Sequence, residues 1–199
     1  MLAQPAVGPA GLPSPAMSSA TTPYDVHGPA AVSQPLLLDS PHSGRVFPAD
    51  FGAAVSEHAL RDGEDCFVDE LWRPATARGV WLLAARCART YIDVNRHAGD
   101  VDLDLLEGGH WPDEHRPSGK AAIGKALVWR TLADGTPIYR RRLGVDEMRA
   151  RIERWHRPYR HFDLSISGNP DFASGPFGRP LFAANLTLLH AVGWEPRFL

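Results

Sequence analysis

The stretch LLLDSPHSGR, residues 36–45, predicts a short strand that ends in a polar loop. Its three leucines form an apolar run of strand length. Pro41 lacks an amide hydrogen and Gly44 favours a turn, so the strand cannot continue through them. His42 therefore lies in the loop that follows the strand.

A helix is predicted downstream of this loop. Apolar side chains recur at helical spacing from Val68 to Ala75, and Gly79 provides a stop after about four turns. We place Glu64 and Asp65 in the first turn, where the helix dipole favours negative charge.

Two further strands are predicted after the helix, because residues 80–84 and 90–94 are apolar, β-branched and aromatic runs of strand length. A strand, a helix and a strand in this order indicate an α/β fold with a mainly parallel sheet and flanking helices. Residues 99–135 are polar and rich in turn formers, and we expect little regular structure there. An amphipathic helix is predicted from Val145 to Phe162, kinked or ended at Pro158.

Composition excludes several classes of protein. The chain has 199 residues and a formal net charge of -2, from 21 basic and 23 acidic residues, so it lacks the basic field that nucleic-acid binding requires. The two cysteines form neither a disulfide framework nor a CxxC pair, which favours a reducing, cytoplasmic setting. No apolar run approaches the length of a membrane span.

The chain divides into three parts. Residues 1–34 are dense in Pro, Ala, Ser and Gly without periodicity, and we expect a disordered leader that carries no export signal. Residues 35–162 form the predicted domain. The tail, residues 163–199, is interrupted by glycines and prolines.

Metal ligation is one hypothesis for the polar residues near the predicted strand ends. A histidine and a carboxylate suit zinc, which needs about three protein ligands in a catalytic site, and His42 with Glu64 or Asp65 supplies two. The alternatives are a surface histidine and acids that stabilise the helix dipole. Ser43 is a candidate substrate contact and not a nucleophile, because its surroundings lack the GxSxG elbow.

Carboxylate binding is the second hypothesis. Asn95 and Arg96 close a predicted strand, and guanidinium and amide groups together can grip a substrate carboxylate. Arg89, four residues before Asp93, is placed to stabilise charge that develops on a carbonyl oxygen. Salt bridges with nearby acids are the alternative role for both arginines.

Three motifs in register resemble the N-formylglutamate amidohydrolase family. They are SPHSGR at 40–45, EDCFVDEL at 64–71 and RTYIDVNR at 89–96, and the resemblance extends from Leu36 to Phe162. It implies a phosphorylase/hydrolase-like fold similar to the zinc carboxypeptidases, and hydrolysis of N-formyl-L-glutamate, or a related small N-acyl amino acid, in histidine degradation. It also implies zinc, or another divalent metal, on His42 and the Glu64–Asp65 pair.

The family pattern is not matched after Phe162. The resemblance implies a third ligand in an HSM segment and a catalytic glutamate, and neither has a counterpart in residues 163–199. We therefore expect a frameshifted or truncated chain. The alternative function is a catalytically inactive remnant that acts at most as a carboxylate-binding module.

Overall fold

The described strands form one three-stranded sheet. The computed structural model describes residues 22–28 and 36–161. The strands are β1 (Tyr24–His27), β2 (Leu37–Ser40) and β3 (Trp81–Ala85). β3 lies between the other two, parallel to β2 and antiparallel to β1. The α/β class is confirmed with a small mixed sheet, and within the described residues only the β2–β3 pair has the predicted parallel character.

β1 lies within the stretch expected to be disordered, and the expectation is wrong for these residues. Tyr24 pairs with Ala85 across the β1–β3 ladder, and its ring packs edge-on against Tyr159 at 6.2 Å. A short segment without an apolar pattern can be ordered by pairing with a distant strand, which composition does not report. The other residues of the predicted leader lie outside the described ranges.

The strand predicted at residues 90–94 is absent, and that prediction is wrong. The segment forms turns instead: the amides of Tyr91 and Ile92 donate to the carbonyl of Ala88 at 3.0 and 3.3 Å. The amide of Asp93 donates to the carbonyl of Leu127 at 2.7 Å. The apolar character of this run reflects burial, since neighbouring loops satisfy its backbone without a partner strand.

The helix between β2 and β3 is shorter than predicted. α1 (Glu57–Leu60) continues as a 3-10 turn, and α2 (Val68–Trp72) continues as a 3-10 helix, Arg73–Arg78, that ends at Gly79 with φ 85°. The Glu64–Asp65 pair precedes α2, whose first turn holds other acids. The helix-dipole alternative for this pair is therefore wrong.

The long polar excursion at residues 99–135 contains only 3-10 turns as helical structure, as predicted. Within the excursion, Asp100 accepts hydrogen bonds from the amide and the hydroxyl of Ser118, both at 2.7 Å. Asp102 accepts from Arg130 at 2.6 Å. Buried carboxylates thus order a segment that has few backbone ladders.

The last described helix begins with α3 (Val145–Arg151), widens into a π-helical segment, Ile152–His156, and continues to residue 161. Pro158 does not end it. The proline ring clashes with the carbonyl four residues earlier, and that carbonyl, of Arg154, lies in the widened segment. Phe162 lies outside the described residues. Among residues 22–28 and 36–161, no helix is long and apolar enough to cross a membrane.

Arg151 is buried in the centre of the main core. It donates to Tyr139 Oη at 2.7 Å, to Glu147 at 2.8 Å, and to the carbonyls of Phe51 and Tyr91 at 3.2 Å. Its guanidinium also lies 4.1 Å from the centre of the Tyr91 ring. The core that carries the motif loops is therefore built around one buried cation, whose two terminal nitrogens have four hydrogen-bond partners.

Candidate active site

His42 is held between two carboxylates from different loops. Its Nδ1 atom lies 3.1 Å from Oδ2 of Asp65, and its Nε2 atom lies 2.9 Å from Oδ1 of Asp93. The ring is 7% exposed and follows β2 directly, as the sequence predicted. The two acids therefore contact opposite sides of the imidazole ring.

Asp93 organises the cluster, although no role was predicted for its side chain. It is fully buried, and its Oδ1 also accepts the amide of Asn95 at 3.0 Å. Its Oδ2 lies 3.0 Å from Nη2 of Arg89 and 3.6 Å from Nε of Arg96. Burial alone raises the pKa of this carboxyl, but hydrogen bonds and charges from His42 and Arg89 lower it to about 2.

The electrostatics favour ionised acids around the ring. Burial lowers the pKa of His42, and the hydrogen bonds that His42 makes to Asp65 and Asp93 reverse that effect, so the net pKa is raised. Burial raises the pKa of Asp65, but His42 and then Arg89 outweigh it, and the net pKa is lowered.

Arg89 bridges the two acids, which is the salt-bridge role considered as the alternative for this arginine. Its Nη1 lies 3.5 Å from Oδ1 of Asp65, opposite its contact with Asp93. The side chain is 16% exposed, and its guanidinium lies 5.2 Å from the centre of the Trp129 ring. Arg89 is thus fixed in orientation beside His42, with part of its surface open.

Asn95 and Arg96, the residues predicted to bind a substrate carboxylate, lie beside the cluster, since Nε of Arg96 is 3.6 Å from Oδ2 of Asp93. Asn95 is exposed, and Arg96 is partly exposed. Behind them, Nε2 of His156 donates to the carbonyl of Arg96 at 2.8 Å. His156 is 7% exposed, and burial lowers its pKa. No pattern in the sequence pointed to this histidine, because the contact spans 60 residues.

Ser43 has a structural role in the described residues. Its hydroxyl lies 2.6 Å from Oγ of Ser40 and donates to the carbonyl of Asp65 at 3.1 Å. The amide of Asp69 donates to it at 3.3 Å. The serine, which is 4% exposed, therefore joins the His42 loop to the start of α2.

Glu64 and Asp65 point to different partners. Glu64 accepts from Nε of Arg45 at 2.9 Å and from Nε of Arg61 at 2.6 Å. Asp65, in contrast, contacts His42, and its amide donates to the carbonyl of His42 at 3.0 Å. Phe67, at φ 63°, is the only non-glycine residue with positive φ among the described ranges, so this short loop is strained where it enters α2.

The donor set fits two positions of a catalytic zinc site. Nδ1 of His42 and a carboxylate oxygen of Asp65 face each other. Asp93 contacts the other ring nitrogen, as a carboxylate commonly does when a histidine binds a metal. Within the part of the chain that the structure describes, no group of three or more His, Cys, Asp or Glu side chains is arranged to hold an ion.

Two comparisons with known proteins identify the family of this chain. The sequence profile described as N-formylglutamate amidohydrolase matches residues 34–162. A crystal structure of N-formylglutamate amidohydrolase from Ralstonia eutropha JMP134 is similar, with 37% sequence identity and a TM-score of 0.71. The match covers 89% of this chain and 64% of that one. A search of curated proteins gave no match. The chain belongs to the N-formylglutamate amidohydrolase family.

Proposed function

We propose that the chain is a metal-dependent amidohydrolase that cleaves N-formyl-L-glutamate, or a related N-acyl amino acid, to the free amino acid and the acyl acid. The observation that carries this proposal is the cluster of His42, Asp65, Arg89 and Asp93, which lies inside the region that matches the family. The similar structure from Ralstonia eutropha bears the name of the same activity. The reaction breaks a linear amide C–N bond and consumes one water.

His42 and Asp65 are the residues that we propose to hold zinc or another divalent metal, whose chemistry in such sites is to polarise a carbonyl and lower the pKa of bound water. The contacts of Glu64 with Arg45 and Arg61 support Asp65 as the ligand of the acidic pair. Asp93 holds Nε2 of His42, so it leaves Nδ1 directed at Asp65.

Arg89 would stabilise the charge that develops on the formyl oxygen during hydrolysis. Its guanidinium is already oriented by Asp65 and Asp93, so little reorganisation accompanies the reaction. Arg96 and Asn95 would bind the α-carboxylate, which places the amide bond beside His42. The shared contact of Arg89 and Arg96 with Oδ2 of Asp93 keeps these two groups adjacent.

We further propose histidine degradation as the pathway and the cytoplasm as the location, and a fold similar to the zinc carboxypeptidases. The family match supports the pathway and the fold. The free thiols of Cys66 and Cys87 support a reducing compartment.

The test is an assay of the purified chain with N-formyl-L-glutamate, before and after chelation and with zinc added back. The expected result is release of glutamate and formate in equal amounts, lost on chelation and restored by zinc. A chain that binds no metal and releases neither product would contradict the proposal and leave the carboxylate-binding remnant.

A further inference from the structure

One segment of the long excursion lies directly against the candidate active site. The carbonyl of Leu127 accepts the amide of Asp93 at 2.7 Å, and Lys125 and Trp129 pair as an isolated antiparallel bridge on either side of it. The turn of residues 125–129 therefore forms part of the wall beside the cluster, although it lies outside the three family motifs.

Trp129 in this turn carries two cations. The guanidinium of Arg89 lies 5.2 Å from the centre of its ring, and the ammonium of Lys125 lies 4.6 Å from the same centre. Trp129 is 5% exposed, so it acts as a fixed platform. Attraction between each cation and the ring holds both positive groups in place.

The two cations differ in their charge balance. Arg89 makes ion pairs with Asp65 and Asp93. Lys125 is partly buried and makes no ion pair with any carboxylate in residues 22–28 and 36–161. A partly desolvated ammonium whose charge is not balanced attracts an incoming anion more strongly than a paired one.

We propose that Lys125 determines specificity by binding the side-chain carboxylate of an acidic N-acyl amino acid. This inference rests on the proposed function and assigns the second carboxylate of its substrate. Arg96 would bind the α-carboxylate. Arg89 contacts the same carboxylate of Asp93 as Arg96 does. Lys125 contacts the same Trp129 ring as Arg89 does. Cations in this order suit a dicarboxylate whose amide lies near His42.

The experiment compares N-formyl-L-glutamate with N-formyl-L-glutamine, which differ only in the charge of the side chain. The variant is Lys125→Met, because methionine keeps an apolar stem on Trp129 without the ammonium. We expect kcat/KM for the glutamate substrate to fall about 10- to 100-fold, with the value for the glutamine substrate changed less than about threefold. An unchanged preference for glutamate would overturn the proposal.

Lys120→Met is the matched control. Lys120 is exposed, and its carbonyl accepts the amide of Lys125 at 2.9 Å, so the substitution removes a nearby positive charge from the same loop. It is expected to preserve the ratio of the two kcat/KM values. An equal loss of preference in both variants would overturn the proposal, because it would indicate a diffuse electrostatic effect.

Binding separates this inference from the proposed function. If the wild-type chain hydrolyses neither substrate, the proposed function fails, and titration calorimetry with L-glutamate and L-glutamine on the same three proteins still tests Lys125. Preferential binding of glutamate that is lost only in the Lys125→Met chain supports the inference. Equal binding of both amino acids by the wild type overturns it.

Discussion

His42 and Asp93 are separated by 51 residues in the chain, yet Nε2 of the first lies 2.9 Å from Oδ1 of the second. Asp93→Asn keeps the shape of the side chain but removes its charge and replaces one acceptor oxygen by an NH2 donor. Mutation of a carboxylate that is hydrogen-bonded to a metal-binding histidine typically lowers activity or metal affinity about 10- to 100-fold. We expect a fall in kcat/KM of about that size. Steady-state kinetics at saturating zinc provides the measurement.

Asp100→Asn is the control for this substitution. Asp100 is also a buried aspartate with two hydrogen bonds, but its partner is Ser118 in the excursion. Its substitution is expected to lower stability with little change in kcat/KM. Equal losses of activity in the two variants would show that Asp93 acts only through folding.

Substitutions of Glu64 and Asp65 are expected to have different effects on zinc affinity. Asp65→Asn removes the carboxylate that faces His42, and we expect zinc affinity to fall at least about tenfold. Glu64→Gln alters a group bound by Arg45 and Arg61, and we expect its zinc affinity to stay within about threefold of the wild type. Competition with a zinc indicator measures both. The opposite order would make Glu64 the ligand.

The sequence predicted much of this site because its signals are local. β2 ends where Pro41 and Gly44 interrupt an apolar run, so the loop of His42 followed from residue types alone. The salt bridge considered as the alternative role of Arg89 is also local, and it forms with Asp93 at 3.0 Å. Turn chemistry and short spacings are properties of neighbouring residues, and neighbouring residues are visible in a single sequence.

Long-range contacts could not be predicted in the same way. β1 depends on pairing with β3, and the bond from His156 to Arg96 depends on how the last helix packs. The apolar run around Asp93 was misassigned as a strand because burial on all sides gives the same pattern. In each case the deciding partner lies tens of residues away.

Arg151 is expected to dominate the stability of the core. Arg151→Met leaves the carbonyls of Phe51 and Tyr91 and the carboxylate of Glu147 without this donor. Removing one member of a buried charged network typically costs about 3–5 kcal/mol, and we expect a loss of that size in the free energy of unfolding. Urea denaturation followed by fluorescence measures it.

Arg149→Met, in the same helix, serves as the comparison. Arg149 is exposed and pairs with exposed Asp113 at 2.9 Å, so its removal should leave the free energy of unfolding nearly unchanged. If both variants unfold at the same urea concentration as the wild type, Arg151 does not stabilise the core in the way described.

His156 is expected to make stability depend on pH. Burial lowers the pKa of His156 below its ordinary value of 6.5, so the unfolded chain binds this proton at a higher pH than the folded chain. The contribution of His156 is therefore fully present above pH 6.5 and is lost as the pH falls toward the folded-state pKa. His156→Gln retains an N–H donor for the carbonyl of Arg96 but does not titrate.

The free energy of unfolding, measured from pH 8 to pH 5 for both proteins, tests this prediction. The wild type should lose more stability than His156→Gln on acidification, so the difference between the two curves should shrink or change sign. Parallel curves over the whole range would show that His156 is not held in its neutral form by the fold.

The most direct test of the account is kcat/KM for N-formyl-L-glutamate, with zinc present, in the wild type, His42→Gln and His58→Gln. His58 is an exposed histidine of α1 and controls for the loss of an imidazole. We predict turnover below about 1% of wild type for His42→Gln and within about twofold of wild type for His58→Gln. Wild-type turnover in the His42→Gln chain would contradict the assignment of this cluster as the active site.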